Sequence, residues 1–138
     1  MVNIYSEKSI GTAVIKEINK EKKWGLICRK GRCGVDIELK NKRWGKRWFI
    51  EVKREPNTKN KKSSIYGCVA TAIGQLSYRM KHPKSSYYGI AVPNTKMYKQ
   101  ELSKIPIWIK KRLKINIFLV PKHGKITIIT PSKKVHIT

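Results

Sequence analysis

The sequence predicts an α/β layered domain with a mixed central sheet flanked by helices, in the order α-βββ-α-β-α-ββ. Three observations carry this expectation. Residues 9–23 place Ala13, Val14, Glu17, Ile18 and Glu21 three and four apart, the period of a helix, and residues 65–80 read as a second helix. Residues 35–39, and residues 50–53 within the candidate strand 47–54, alternate apolar and charged side chains, the period of a half-buried strand. Tyr88 to Val92 is continuously apolar, as a strand covered on both faces requires. A length of 138 residues suits one domain spanning 1–138, with a hydrophobic core of its own.

In chain order, Ser9 is the expected N-cap of the first helix, and Ala13, Val14, Glu17, Ile18 and Glu21 fall on helical spacing. Trp24 to Arg29 reads as a strand and Lys30 to Gly34 as a turn. Val35 to Leu39 is the next strand, Lys40 to Lys46 a basic turn, and Arg47 to Arg54 a third strand. These three form an antiparallel meander. Glu55 to Ser64 is polar and rich in breakers, and reads as a flexible loop carrying Lys59, Lys61 and Lys62. A helix over Ile65 to Met80 and the buried strand at Tyr88 to Val92 follow. Short helices are expected at Met97 to Lys104 and Trp108 to Leu113, on either side of Pro106. Ile115 to Val120 and Lys125 to Thr130 close the chain as a hairpin through Pro121 to Gly124.

Charge limits the function classes. The chain holds 32 Lys and Arg against 8 Asp and Glu, a formal net charge of +24. Such a surface points to a polyanionic partner, and nucleic acid fits better than a membrane because no single basic amphipathic helix collects the charge. Lysine-rich surfaces built for ion-pair networks balance Lys with Glu, and here Glu is scarce. No apolar run reaches the roughly 18 residues of a membrane span. Residues 1–8 lack the apolar core of a signal peptide, so an intracellular, cytoplasmic protein is expected. Cys28, Cys33 and Cys68 are odd in number, against a disulfide framework, and they have no partner pair at zinc-finger spacing. His82, His123 and His136 are scattered.

In so basic a chain the placement of the few acids is informative. Alternation puts Asp36 and Glu38 on one face of their strand, and Glu51, Lys53 and Glu55 on one face of the next. Pairing the two strands brings Asp36 beside Glu51 and Lys53. Two close carboxylates repel, and a shared divalent cation relieves the repulsion. A neighbouring lysine can then orient water or hold a phosphate.

At these residues the chain resembles the PD-(D/E)XK nuclease superfamily, whose restriction-endonuclease-like core has a helix, a β-meander, a helix and further strands. The Asp of that pattern matches Asp36, preceded here by Val35 in place of the common proline. The acid-x-Lys matches Glu51 and Lys53. The resemblance runs over residues 9–92 and implies a metal-dependent DNA endonuclease. Mg²⁺, with Mn²⁺ as substitute, would be held by Asp36, Glu51 and the main-chain carbonyl of Val52. Lys53 would position or activate water, and the products would carry a 5′-phosphate and a 3′-hydroxyl. Glu17, or less fittingly Glu21, stands for the first-helix acid as a further ligand. Gln75 stands for the helix glutamine that bonds the nucleophile or a phosphate. Tyr78 follows it at a spacing one shorter than the exonuclease-type pattern.

Lys59, Lys61 and Lys62 of the loop, and Lys40, Lys42, Arg43, Lys46 and Arg47 of the hairpin, are the expected phosphate contacts. Trp24, Trp44 and Trp48 interleave with these cations. Trp44 is placed to stack on unpaired bases, and Trp48 to pack in the core. Small archaeal Holliday-junction resolvases are similar in being basic, standalone and homodimeric, which makes junction cleavage one alternative and a homodimer an expected assembly. A nuclease preferring single strands or ends, suggested by Gln75 and Tyr78, is a second alternative. A non-catalytic nucleic-acid-binding protein, for which charge suffices, is a third.

Overall fold

The computed structural model describes residues 6–29, 36–43, 45–57, 59–80 and 86–137. Val35, Trp44, the turn at 30–34 with Cys33, and His82 lie outside the described residues. Among the described residues the chain is α/β, with a mixed six-stranded sheet flanked by four helices. Helix α1 spans Glu7–Ile18, and strands β1, β2 and β3 span Trp24–Arg29, Ile37–Asn41 and Arg47–Val52. Helix α2 (Lys61–Ser77) leads to β4 (Ser86–Pro93), then α3 (Lys96–Leu102) and α4 (Ile107–Leu113), and β5 (Ile115–Val120) and β6 (Thr127–Ile129) end the fold.

The sheet order follows the chain, β1 to β6. β1, β2 and β3 form the expected antiparallel meander. β4 lies parallel to β3, and β5 parallel to β4, because α2 and the α3–α4 pair carry the chain back between them. β6 returns antiparallel to β5.

Alternation splits the apolar residues between two layers. On one face Ile37, Leu39, Ile50, Val52, Ala91 and Phe118 pack under Ile10 and Val14 of α1. On the other, Ile90, Val92, Ile117 and Leu119 meet Ile65, Val69, Ala72 and Leu76 of α2, with Tyr98 and Leu102 of α3. Each such Ile, Leu or Val stabilises the fold by about 1.5–3 kcal/mol relative to exposure. Gly89 in β4 is a close-approach position: a Cβ there would stand 2.6 Å from the Phe118 ring and 3.5 Å from Ile50.

Helix boundaries differ from the sequence expectation, for local reasons. Ser6, not Ser9, caps α1, accepting the Ser9 N–H at 3.1 Å, and Ser9 lies in the first turn. The helix stops at Ile18 rather than at residue 23. Asn19 closes it, and Lys22 takes a left-handed conformation at φ 55°. α2 begins before residue 65 because Asn60 caps it through Ser63, so Lys61 and Lys62 are helical rather than part of a loop. No helix among the described residues is long and apolar enough to cross a membrane.

Candidate active site

The β2–β3 register sets the site. Ile37 pairs with Ile50 and Glu38 with Phe49, so the next pair outward is Asp36 and Glu51. Both fall on the α2 side of the sheet, since Ile37, Ile50 and Val52 fill the α1 side. Asp36 lies just before β2 and turns its carboxylate onto the neighbouring strand. Its Oδ2 accepts the main-chain N–H of Val52 at 2.7 Å. A buried N–H needs a partner, and this side chain supplies one where the main-chain ladder has ended.

Glu51 is 1% exposed, and its Oε1 has no hydrogen-bond partner among the described residues. Burial pushes its carboxyl up to about 8, with the Asp36 charge and a proton shared with that carboxyl adding to the rise. Lys53 and the Asp36 N–H act the other way. Near neutral pH the acid pair therefore holds a proton. A divalent cation would take that proton's place, and the donor set suits one: carboxylate oxygens from two strands and a main-chain carbonyl at Val52, all hard oxygen ligands. Among the described residues no group of three His, Cys, Asp or Glu side chains converges, so any cation would rest on this pair and the main chain.

Lys53 continues the alternation onto the same face. Its main-chain N–H bonds the Ala91 carbonyl at 2.9 Å, one rung beyond β3, which fixes its backbone against β4. Its Nζ reaches Gln75 Oε1 at 3.4 Å. Gln75 precedes buried Leu76 on α2, and the stripe Ile65, Val69, Ala72 and Leu76 turns it toward the end of β3. The structure thus gathers Asp36, Glu51, Lys53 and Gln75. Tyr78, at the α2 C-cap, is 80% exposed and points into solvent.

Glu17 is elsewhere. It pairs with Lys20 at 2.9 Å. Just beyond it, Asn19 Oδ1 accepts the Trp24 N–H at 3.1 Å; Trp24 pairs with Asn41, and Asn41 bonds Lys46 at the β2–β3 turn. The end of α1 therefore sits at that turn, and Glu51 is a strand length away, roughly 16 Å. Glu21 also lies there, paired with Lys23. The α1 acid at the site end is Glu7, about 15 Å up the helix from Glu17. The Tyr98 phenol is pushed up by burial first, then by Cys68, and the charges of Glu55 and Glu7 reach it too. That phenol donates to the Arg54 carbonyl at 2.6 Å, directly after Lys53. Ser6 followed by Glu7 in the first helical turn is a start signal that a reading from Ser9 passes over.

Glu38, buried and on the same face as Asp36, forms an ion pair with the more exposed Arg47, its diagonal neighbour across the ladder. The Arg47 side chain remains 41% exposed while it makes this pair. Lys40, Lys42, Arg43 and Lys46 are exposed around the hairpin turn, and Lys59 and Lys62 are exposed near the start of α2. Lys61, also exposed, stands 3.9 Å from Glu55. No protein-family model matches the chain, and no curated protein matches it in sequence.

Proposed function

We propose that the chain has a restriction-endonuclease-like core and is a metal-dependent DNA endonuclease that hydrolyses phosphodiester bonds at Asp36, Glu51 and Lys53. The observation that carries this reading is the buried Glu51 carboxyl, with an unpartnered oxygen, set opposite Asp36 and beside Lys53. An acid pair of this kind destabilises a fold unless a cation is meant to join it. The surrounding charge of +24 suits a polyanionic substrate.

Asp36, Glu51 and the Val52 carbonyl would hold Mg²⁺ or Mn²⁺. When bound, the cation supplies positive charge against a phosphate oxygen and acidifies a water. Lys53 orients that water and offsets charge growing on the phosphate, and Gln75 holds the Lys53 ammonium in place. Water adds to phosphorus and the P–O3′ bond breaks, leaving a 5′-phosphate and a protonated 3′-hydroxyl. A homodimer would present two such sites to a duplex.

The test is cleavage of linear, circular, four-way-junction and single-stranded DNA with Mg²⁺ or Mn²⁺. Cutting is expected with wild type and lost in Asp36→Ala, Glu51→Ala and Lys53→Ala, with binding retained. Intact substrates in every case with both metals would leave a binding protein instead.

A further inference from the structure

Three half-buried aromatic side chains meet at the end of the sheet opposite the acid pair. Trp48 stacks on Tyr87 with centroids 5.1 Å apart and planes at 29°. Trp48 rests in turn on Phe118, at 5.5 Å and 64°. Trp24 stands edge-on to the Tyr87 ring, at 6.3 Å and 75°. A cavity of about 390 Å³ opens between Trp24, Asn41, Lys46 and Tyr87. Lys46 Nζ lies 5.4 Å from the Tyr87 ring centre and donates to its hydroxyl at 3.3 Å.

Among the described residues this cavity has two aromatic walls set at a steep angle, an amide and one cation, and no acid lines it. The walls suit a flat π-faced ligand, since stacking needs a ring plane and tolerates any base. The cation suits an anion attached to that ligand. Lys46 is exposed on a flexible stem, and its ammonium contacts Tyr87 through a long bond to the hydroxyl and the ring face, so it can leave the ring for a phosphate. Lys42 and Arg43, both exposed, follow Asn41 in the chain and extend the positive rim.

We propose that this pocket takes one unpaired base of a single-stranded nucleic acid, stacked on Tyr87 beside Trp24, with the adjoining phosphate on Lys46. The pocket lies on the α1 face, where Trp48 packs, whereas Glu51 lies on the α2 face and roughly 10 Å further along β3. A base held here is set apart from the acid pair, and the ligand class is single-stranded nucleic acid. This rests on the nucleic-acid half of the proposed function and not on its chemistry.

The experiment measures binding in EDTA, where metal-dependent cutting is silent, using a short labelled oligothymidine and a blunt duplex. Tyr87→Ala should weaken oligothymidine about tenfold and duplex less than about twofold, and Tyr87→Phe should keep the affinity. Lys46→Gln, on an exposed side chain, should show the same selectivity in a fold that is not at risk. A bromodeoxyuridine oligonucleotide should cross-link to Trp24 or Tyr87 in the wild-type chain, and thymidine monophosphate should compete only weakly. Equal losses on both substrates with Lys46→Gln, no loss on either, or cross-links confined to other segments would overturn the pocket. Cleavage failing while these results hold would sink only the nuclease reading.

Discussion

The Val52 N–H donates to Asp36 Oδ2 at 2.7 Å, so the strand that carries Glu51 also aims the carboxylate opposing it. The acid pair is thus built from main-chain register and not from two independent rotamers. Charge and acceptor at residue 36 can be separated by substitution. Asp36→Asn keeps an oxygen for Val52 and removes the charge. Asp36→Ala leaves a buried N–H unpaired. We expect both to abolish cleavage, with Asp36→Ala less stable than Asp36→Asn by about 1–2 kcal/mol in urea unfolding. Equal stabilities would show that the bond contributes nothing.

Glu51 makes stability depend on pH in a definite direction. Its carboxyl is raised from 4.5 to about 8, so between those values the folded chain holds a proton that the unfolded chain has released. Stability is therefore fully present below the lower value and lost as pH climbs through the upper one. Glu51→Gln mimics the protonated form. It should match wild type near pH 4 and exceed it by on the order of 3 kcal/mol near pH 9, read by thermal or urea unfolding. A wild-type advantage at high pH in metal-free buffer would contradict the buried acid.

Divalent cation should reverse that trend. Binding must expel the shared proton, so the Mg²⁺-induced rise in Tm should be larger near pH 8 than near pH 6 at equal concentration. Calorimetry in buffers of different ionisation enthalpy should register proton release. Both signals should vanish in Glu51→Gln. A pH-independent Mg²⁺ effect would place the cation elsewhere.

Lys53 and Gln75 touch at 3.4 Å, and the proposed reaction gives them different duties. Lys53→Ala should lower the cleavage rate by about 10²-fold or more while leaving the Mg²⁺ shift in Tm intact. Gln75→Ala should lower it by roughly tenfold, through a less ordered lysine. A larger loss for Gln75 than for Lys53 would reverse these roles.

The two α1 acids make a paired control. Glu17 sits by Lys20 at the β2–β3 turn, and Glu17→Ala should change the cleavage rate by less than about twofold. Glu7→Ala, at the end of α1 whose charge reaches Tyr98, should lower it more. Equal effects would remove Glu7 from consideration.

Period-two alternation was enough to make Asp36, Glu51 and Lys53 legible, because a strand pair admits only one face for each and Ile37, Ile50 and Val52 claim the other. Gln75 was legible only through the family resemblance, and its 3.4 Å contact with Lys53 is tertiary. Glu17 was not correctly placed, because helical periodicity identifies the buried face but not which end of the helix meets which end of the sheet. The Asn19–Trp24 bond that decides this is tertiary. The start of α2 was missed because Asn60, in a polar run, looks like loop until its side chain is seen capping Ser63. Tyr87 is not legible in the sequence, because Tyr88 beside it faces the opposite core and only strand register aligns Tyr87 with Trp48.

Gly89 pairs with Ile50, the residue before Glu51, and the Phe118 ring occupies the space a methyl would need there. Tolerance to change around the acid is therefore governed from the far side of the sheet. Drift at position 89 or 118 would register first as altered spacing between β3 and β4, and then as altered placement of Glu51. Anyone recombining this domain would need to move those two positions as a block, although neither side of that contact faces the acid pair.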